Sequence, residues 1–233
     1  MSNQIALVIL DGWGWGKSWG GNAIIIGKTL NFNQLLRSYP NTLIKASGAD
    51  VGLPGHEVGN SEVGHMNIGA GKIVEQDIAT INKSINDGTF YSNPVLKDAI
   101  LASKESGTAL HLVGIVSDGG IHSHIVHLLA LIKLASILGH DRVFIHAFTD
   151  GRDTDPYKGI EFINMIDQAT KALQTGKIAT IMGRVYLDRK GNWQRTKIAY
   201  DALVNGIGDE EKSALASATP GSHFPGVLLF RDF

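Results

Sequence analysis

Apolar, strand-like segments alternate with helical patterns through the second half of the sequence, and this alternation limits the fold more than any other feature. The predicted strands, each with the helix that follows it, are 109–116 and 125–138, 142–148 and 157–175, and 178–182 and 193–205. Such alternation predicts an α/β fold with a mostly parallel sheet and flanking helices. Ligands of such sheets bind beyond the carboxyl ends of the strands, so functional residues are expected in the loops that follow the strands.

These strand-end loops carry side chains that can bind an anion. His122 follows the first predicted strand, Arg152 the second, and Arg184 and Arg189 the third. A guanidinium group presents a planar fork that suits phosphate and carboxylate, and several forks together can hold a small, multiply charged anion. A single arginine is more often a solvated charge or the ion-pair partner of a nearby aspartate such as Asp153. Because the donors recur in three successive loops, we favour an anion site.

The first part of the sequence combines an apolar run with a glycine-rich stretch. Residues 5–10 are continuously apolar, which predicts a strand buried on both faces with Asp11 at its carboxyl end. The polar, glycine-rich residues 48–60 lead into Ser61, which we predict to lie near the start of a helix. At a helix start the unpaired N–H groups favour a phosphate on the serine oxygen, and an activated serine is a nucleophile.

Ser61 and Asp11 each also have a simpler explanation. A serine at this position can be a helix N-cap, and spacing alone favours the cap by roughly two to one. Asp11 precedes Gly12, and an Asp-Gly pair is typical of a tight turn. A carboxylate at a strand end is equally common as a hard-cation ligand, and a neighbouring serine nucleophile favours a metal site.

The composition argues against several classes of protein. The 233 residues include 21 Lys and Arg, 22 Asp and Glu, and no cysteine. Because the charges are balanced and scattered, we expect neither nucleic-acid binding nor membrane binding. The apolar run at 5–10 is too short for a signal-peptide core or a membrane span. Without cysteine there are no disulfides and no thiolate chemistry, and a cytoplasmic location is expected.

Four motifs together resemble the cofactor-independent phosphoglycerate mutases of the alkaline phosphatase superfamily. The motifs are residues 11–14, 59–71, 117–124 and 150–154, and the resemblance extends from residue 11 to about residue 204. It implies that residues 1–76 begin an alkaline-phosphatase-like domain. Residues 77–233 would then form most of a transferase-like α/β insertion that binds the substrate.

The resemblance also implies a reaction and the residues that perform it. Ser61 would take the phosphoryl group from 2- or 3-phosphoglycerate and return it to the other hydroxyl, in a monomeric enzyme that needs no 2,3-bisphosphoglycerate. Asp11 and Ser61 would bind one of two Mn²⁺ ions. The residues that would hold the substrate are His122, Arg152, Asp153, Arg184 and Arg189. The spacing after Arg184 is one residue shorter than the family pattern.

The same family places its other metal ligands, and a substrate-binding lysine, in a C-terminal segment that this sequence does not contain. A divalent ion needs several ligands beyond Asp11 and Ser61, so we expect the chain alone to be inactive and to require a separate C-terminal half. Two alternatives stay open. The chain can belong to a metal-dependent phosphatase of the same superfamily, or it can be a non-catalytic remnant that binds a phosphorylated small acid.

Overall fold

A computed structural model describes residues 4–55, 57–210 and 227–229 of the chain. The chain separates into two units, Met1–Ala79 and Thr80–Phe233, each of which has its own interior. The correspondence of these units to a phosphatase-like segment and a transferase-like insertion stays a prediction. No helix in the described part of the chain is both long enough and apolar enough to span a lipid bilayer.

The first unit is built from short helices around a small apolar cluster. Its helices are α1 (Ala23–Ile26), α2 (Leu30–Ser38) and α3 (Ser61–Ala70), with a 3₁₀ turn at Gly48–Val51, and α4 (Asp77–Asp87) runs across the boundary between the units. The cluster contains Val51, Leu53 and Val63, and Ile78 packs against it. Helix α2 ends just before Pro40, as the sequence predicts, because proline cannot continue a helix.

The prediction of a strand at residues 5–10 is wrong. Residues 4–10 have no regular structure, and the side chains of Ile5 and Val8 are 93% and 78% exposed. Asp11 consequently lies in a turn with Gly12 and not at the end of a strand. A strand requires a neighbouring strand to pair its backbone groups, and the described residues of this unit contain none. The predicted parallel sheet is therefore confined to the second unit.

The second unit contains the predicted parallel strands in sequential order. Strands β1 (Leu110–Val116), β2 (Val143–Thr149) and β3 (Lys177–Gly183) pair in parallel, with β2 in the middle. Two short strands, β4 (Asp209–Glu210) and β5 (Val227–Leu229), extend the sheet in the order β1-β2-β3-β5-β4, and β5 runs antiparallel to β3. The parallel α/β architecture predicted from the alternating pattern is confirmed for this unit.

Helix α5 (Pro94–Glu105) precedes β1, and a helix follows each parallel strand as the sequence predicts. These are α6 (Ile125–Ile137), α7 (Gly159–Leu173) and α8 (Trp193–Tyr200), and α8 continues as a π-helical turn at Asp201–Asn205. Local signals fix two of the starts: the Asn93 side chain caps α5, whose first residue is Pro94, and the His124 side chain caps α6. On one face of the sheet α6 and α7 enclose Ile145 and Ile181, both completely buried.

On the opposite face of the sheet, Phe148 and Met182 pack against Ala199 of α8 and Ala202 of the π-helical turn. Buried side chains on both faces explain why the central strand β2 is mostly apolar in sequence, with His146 as an interior exception. The sheet thus has buried apolar side chains on both faces, and the loops that leave the carboxyl ends of β1, β2 and β3 emerge at one common edge.

Candidate functional site

Ser61 is the first residue of α3, but Asn60 performs the capping. The Asn60 carboxamide oxygen accepts a hydrogen bond from the Val63 backbone N–H at 3.0 Å. The structure therefore overturns the alternative that Ser61 is the helix N-cap. The Ser61 hydroxyl is left to interact with side chains, at a helix end where backbone N–H groups attract negative charge.

The Ser61 hydroxyl donates to Asp11 Oδ2 at 2.8 Å, so these two residues meet across 50 positions of sequence. His65 lies one helical turn further on, with Nδ1 2.8 Å from the Ser61 carbonyl oxygen and 3.2 Å from Ser61 Oγ. Because a carbonyl oxygen can only accept, the shorter contact requires the His65 proton on Nδ1. Nδ1 therefore cannot take a proton from the serine, and Asp11 is the proton acceptor that faces Ser61.

The described residues do not form a complete metal site. Among residues 4–55, 57–210 and 227–229, no three histidine, aspartate or glutamate side chains are grouped so that they could hold a metal ion. Asp11 and Ser61 together offer one carboxylate and one hydroxyl, whereas a manganese-like ion takes about six ligands. The described residues alone do not complete the Mn²⁺ pair that the resemblance implies, and Mn²⁺ binding by Asp11 and Ser61 stays a prediction.

In the second unit, a cavity of about 740 Å³ opens at the carboxyl ends of the three parallel strands. Four of the five residues predicted to hold the substrate line it: His122, Arg152, Arg184 and Arg189. The fifth, Asp153, touches two of them, since its carboxylate pairs with the Arg184 guanidinium and lies 3.6 Å from His122 Nε2. The fold thus brings the predicted set together, while the role of each residue stays a prediction.

The arginines in this cavity differ in how their charge is balanced. Arg184 is largely buried and pairs with two carboxylates, Asp150 at 3.0 Å and Asp153. Within the part of the chain that the structure describes, Arg152 and Arg189 are exposed and form no ion pair. Of the four arginines that line the cavity, Arg184 and Arg195 are thus paired with carboxylates, Arg195 with Asp188 at 3.9 Å, whereas no carboxylate among the described residues pairs with Arg152 or Arg189.

Sequence reasoning missed two aspartates that organise these loops. Asp150 follows β2 directly and accepts hydrogen bonds from the backbone N–H groups of Arg152 and Asp153, at 3.0 and 3.2 Å. Asp188, whose side chain is 5% exposed, accepts from the N–H groups of Lys190 and Asn192, at 2.9 and 2.7 Å. The sequence signal that could have found them is their position. Each aspartate lies just before a turn, where an aspartate side chain commonly accepts a hydrogen bond from the backbone N–H two residues further on.

Hydrogen bonding keeps both carboxylates charged. Burial opposes ionisation of Asp150, but hydrogen bonds from the Arg152 N–H and from Arg184 outweigh burial and lower its pKa. The pKa of Asp188 is lowered mainly by the hydrogen bond from the Asn192 N–H. Burial likewise opposes the charge of Arg184, and its hydrogen bonds to Asp153 and Asp150 raise its pKa nonetheless.

Several other histidines of the second unit have partners within the protein. His111 and His146 share a hydrogen bond of 2.9 Å, His127 bonds to Asn82, and His140 bonds to Ser103. His124, next to the predicted site, caps α6.

The fold and the site define an α/β protein with a cationic pocket beyond the carboxyl ends of three parallel strands. A comparison with known families gives a narrower assignment: residues 81–221 match the family described as BPG-independent PGAM N-terminus (iPGM_N). The chain belongs to this family, whose members are the N-terminal portions of 2,3-bisphosphoglycerate-independent phosphoglycerate mutases.

Relatives and a solved structure agree with this membership. The chain is 50% identical over 214 residues to the 2,3-bisphosphoglycerate-independent phosphoglycerate mutase of Clostridioides difficile, covering 91% of this chain and 42% of the relative. The corresponding mutase of Methanococcoides burtonii is 52% identical over 203 residues, covering 87% of this chain and 39% of the relative. A crystal structure of Leishmania mexicana phosphoglycerate mutase, at low cobalt concentration, superposes with a TM-score of 0.73 and 26% identity, covering 85% of this chain and 39% of that one. The chain therefore spans about two fifths of the length of these proteins.

Proposed function

We propose that this chain is the serine-bearing and substrate-binding portion of an enzyme that interconverts 2-phosphoglycerate and 3-phosphoglycerate. The reaction passes through a phosphoserine on Ser61 and needs a further segment, outside this sequence, for the remaining catalytic groups. The observation that carries the proposal is the cavity in which His122, Arg152, Arg184 and Arg189 converge. Membership of the family supplies the expected substrate.

The charges of the cavity suit a phosphorylated hydroxy acid. The uncompensated guanidinium groups of Arg152 and Arg189 can pair with the phosphate and the carboxylate of such a ligand. Asp153 places a carboxylate beside His122 and Arg184 of this cationic pocket, and a carboxylate accepts a hydrogen bond from a hydroxyl. A ligand with two anionic groups and one hydroxyl therefore satisfies this pocket better than a bare anion does.

The serine supports the covalent step. Ser61 Oγ attacks the phosphorus as its hydroxyl proton passes to Asp11, 2.8 Å away, and the bond from phosphorus to the substrate oxygen breaks. The leaving oxygen takes up that proton and becomes the hydroxyl of the bound glycerate. The phosphate then sits at the start of α3, where the helix dipole favours an anion. The reverse step, with the other hydroxyl of the bound glycerate as acceptor, releases the isomer. A Mn²⁺ ion held by Asp11, Ser61 and further ligands from outside the described residues would add charge stabilisation.

The test is complementation. We would mix the chain with the remaining portion of the Clostridioides difficile relative and Mn²⁺, and measure isomer interconversion and phosphoserine by mass spectrometry. We expect turnover that falls on the order of 10³-fold or more in Ser61→Ala, because the nucleophile is lost. Ser38→Ala, an exposed serine at the end of α2, is the matched control and should keep full activity. Undiminished turnover in Ser61→Ala would contradict the proposal.

A second candidate is a non-catalytic binding protein, and one contrast favours it. The anion pocket is assembled within the second unit, whereas the described residues offer no group that could hold a metal ion. Calorimetric titration of 3-phosphoglycerate into the chain alone tests this candidate. Saturable binding that Arg152→Ala abolishes and Arg37→Ala preserves, with no turnover in the complemented mixture, would favour it. Phosphate release without isomer formation would instead indicate a phosphatase.

A further inference from the structure

The carboxylate of Asp150 lies where the three strand-end loops meet. It bonds to its own loop through the N–H groups of Arg152 and Asp153, and the Ser117 hydroxyl, at the start of the loop after β1, helps to lower its pKa. It also bonds to the loop after β3 through Arg184 Nη1, at 3.0 Å. One side chain thus ties together the elements that carry the predicted substrate-binding residues.

The Asp150 carboxylate is bonded to its protein neighbours. Its side chain is 2% exposed, although the residue borders the cavity, and its Oδ1 accepts the bonds from Arg184 and from the Arg152 and Asp153 N–H groups. Ser117 is equally inaccessible, and its hydroxyl oxygen accepts from the Gly119 N–H at 3.0 Å. The carboxylate is therefore held by the loops that surround it.

The bonds to Arg184 leave part of its guanidinium available. Within the described residues, both carboxylates that pair with Arg184, those of Asp150 and Asp153, bond to Nη1. The Nε and Nη2 donors remain for a ligand, and the two ion pairs fix the plane in which these donors point. A long arginine side chain otherwise loses conformational entropy when it binds a ligand, so fixing it in advance strengthens binding.

We propose that Asp150 is a positioning residue: it holds Arg184 and the Arg152–Asp153 turn in the arrangement that binds the phosphorylated acid. This inference rests on the proposed function, because it assigns Asp150 to the same pocket. It goes beyond that function in naming a residue that acts on the ligand through Arg184 and the Arg152–Asp153 turn.

The key substitution is Asp150→Asn, which keeps the size of the side chain and one acceptor oxygen but removes the charge that attracts Arg184. We would titrate 3-phosphoglycerate calorimetrically into the full chain, for the wild type, Asp150→Asn, Arg184→Ala and the double variant. We expect Asp150→Asn to weaken binding about tenfold, as expected when one charge-assisted hydrogen bond is lost. In the Arg184→Ala background, the same substitution should have a smaller effect, because only the part that acts through the Arg152–Asp153 turn remains.

The control is Asp167→Asn, at a carboxylate that pairs with Lys171 along α7. It removes an ion pair of the same unit away from the pocket, so affinity should not change. Unaltered binding by Asp150→Asn, or an effect that adds fully to that of Arg184→Ala, overturns the inference while the proposed function survives. A general loss of structure would lower affinity in both backgrounds and would be visible as a lower urea midpoint.

Amide hydrogen exchange without ligand gives a second, independent measurement. We expect Asp150→Asn to accelerate exchange in residues 183–189, the loop that carries Arg184, and Asp167→Asn to leave that loop unchanged. If the wild type fails to bind 3-phosphoglycerate, the proposed function fails, and the exchange result alone decides whether Asp150 orders the loops. Unchanged exchange in that loop would refute the positioning role whatever the ligand.

Discussion

The neighbouring residues Asn60 and Ser61 have two different roles at the start of α3. The carboxamide of Asn60 satisfies the Val63 N–H at the start of α3, while the hydroxyl of Ser61 faces Asp11. The sequence could not separate these tasks, because asparagine and serine are about equally good caps and the register of the first turn decides between them. Only the structure of the first helical turn shows that the Ser61 hydroxyl is not used as the cap.

This division of tasks predicts different effects on stability. Asn60→Ala should lower the free energy of unfolding of the first unit by about 1 kcal/mol, because a backbone N–H loses its cap. Ser61→Ala should change it by less than about 0.5 kcal/mol, because the hydroxyl is exposed and caps nothing. Urea unfolding followed by tryptophan fluorescence measures this, since Trp13, Trp15 and Trp19 all lie in the first unit. Equal losses in both variants would show that Ser61 shares the cap.

His146 should make the second unit sensitive to acid. Burial, with a smaller contribution from nearby His111, lowers its pKa from 6.5 to about 4. Between those two values the unfolded chain binds a proton that the folded chain does not, so stability is constant above pH 6.5 and falls as the pH drops towards 4. At pH 5 the expected loss is about 2 kcal/mol relative to pH 7.5.

Urea unfolding of the wild type and of His146→Gln at both pH values tests this expectation. The glutamine does not titrate, so the variant should lose less stability on acidification by about the same 2 kcal/mol. Ile145→Val, at the adjacent residue of β2, is the matched control. It should lower stability by about 1 kcal/mol at both pH values, because it removes only packing. An identical pH dependence in wild type and His146→Gln would contradict the assignment.

Among the secondary-structure elements, those that carry their own local signals were predictable and those that depend on distant partners were not. Helix α5 has Asn93 and Pro94 at its start, and β2 has an apolar run that the core surrounds, so the pattern from residue 109 onward gave the right elements. The run at 5–10 has an equally apolar pattern. It forms no strand because a strand is completed by its neighbours, and the described residues of the first unit provide none.

Gly59, just before α3, and Gly64, within α3, should change the stability of the first unit in opposite directions when each is substituted. A Cβ atom at Gly59 would lie 1.7 Å from the Ala46 carbonyl oxygen, whereas a Cβ at Gly64 would meet nothing within 4 Å. Gly59→Ala must therefore push apart the two segments that precede Ser61 and should destabilise the first unit. Gly64→Ala lies within the helix and should stabilise it by about 0.5 to 1 kcal/mol, because alanine restricts the unfolded chain more than glycine.

Limited proteolysis of the first unit, with urea unfolding, distinguishes these effects. We expect faster cleavage within residues 40–75 in Gly59→Ala and slower cleavage in Gly64→Ala, with no change in the second unit. Destabilisation by Gly64→Ala would mean that the helix face carrying Gly64 is in close contact with other backbone, against the open space that surrounds it.

At the scale of the whole molecule, the predicted substrate residues converge because the topology of the sheet guarantees it. Parallel strands β1, β2 and β3 end at one edge, so His122, Arg152 and Arg184 meet without any further information. The roles of Asp150 and Asp188 could not be predicted in the same way. Their hydrogen bonds depend on loop conformations and, for Asp150, on bonds between loops that are far apart in sequence.

The two units should differ in their ability to fold alone. The core of the second unit is formed entirely by its own residues, and Ile132, Ile145, Ile163 and Ile181 have no exposed surface. The buried cluster of the first unit consists of Val51, Leu53 and Val63. Around this cluster the first unit leaves large apolar side chains exposed, among them Ile5, Leu7, Val8 and Ile44.

We therefore expect residues 80–233, expressed alone, to unfold cooperatively in urea and to bind 3-phosphoglycerate as tightly as the full chain, because the cavity residues all lie in this unit. Residues 1–79 alone should unfold without a cooperative transition and should bind the dye ANS, which reports exposed apolar surface. Ile163→Ala provides an internal standard, since a cavity in the core should lower the stability of residues 80–233 by about 2 to 5 kcal/mol. If residues 80–233 instead bind the dye and lose the ligand, the anion pocket depends on residues of the first unit, and the strand-end loops alone do not account for it.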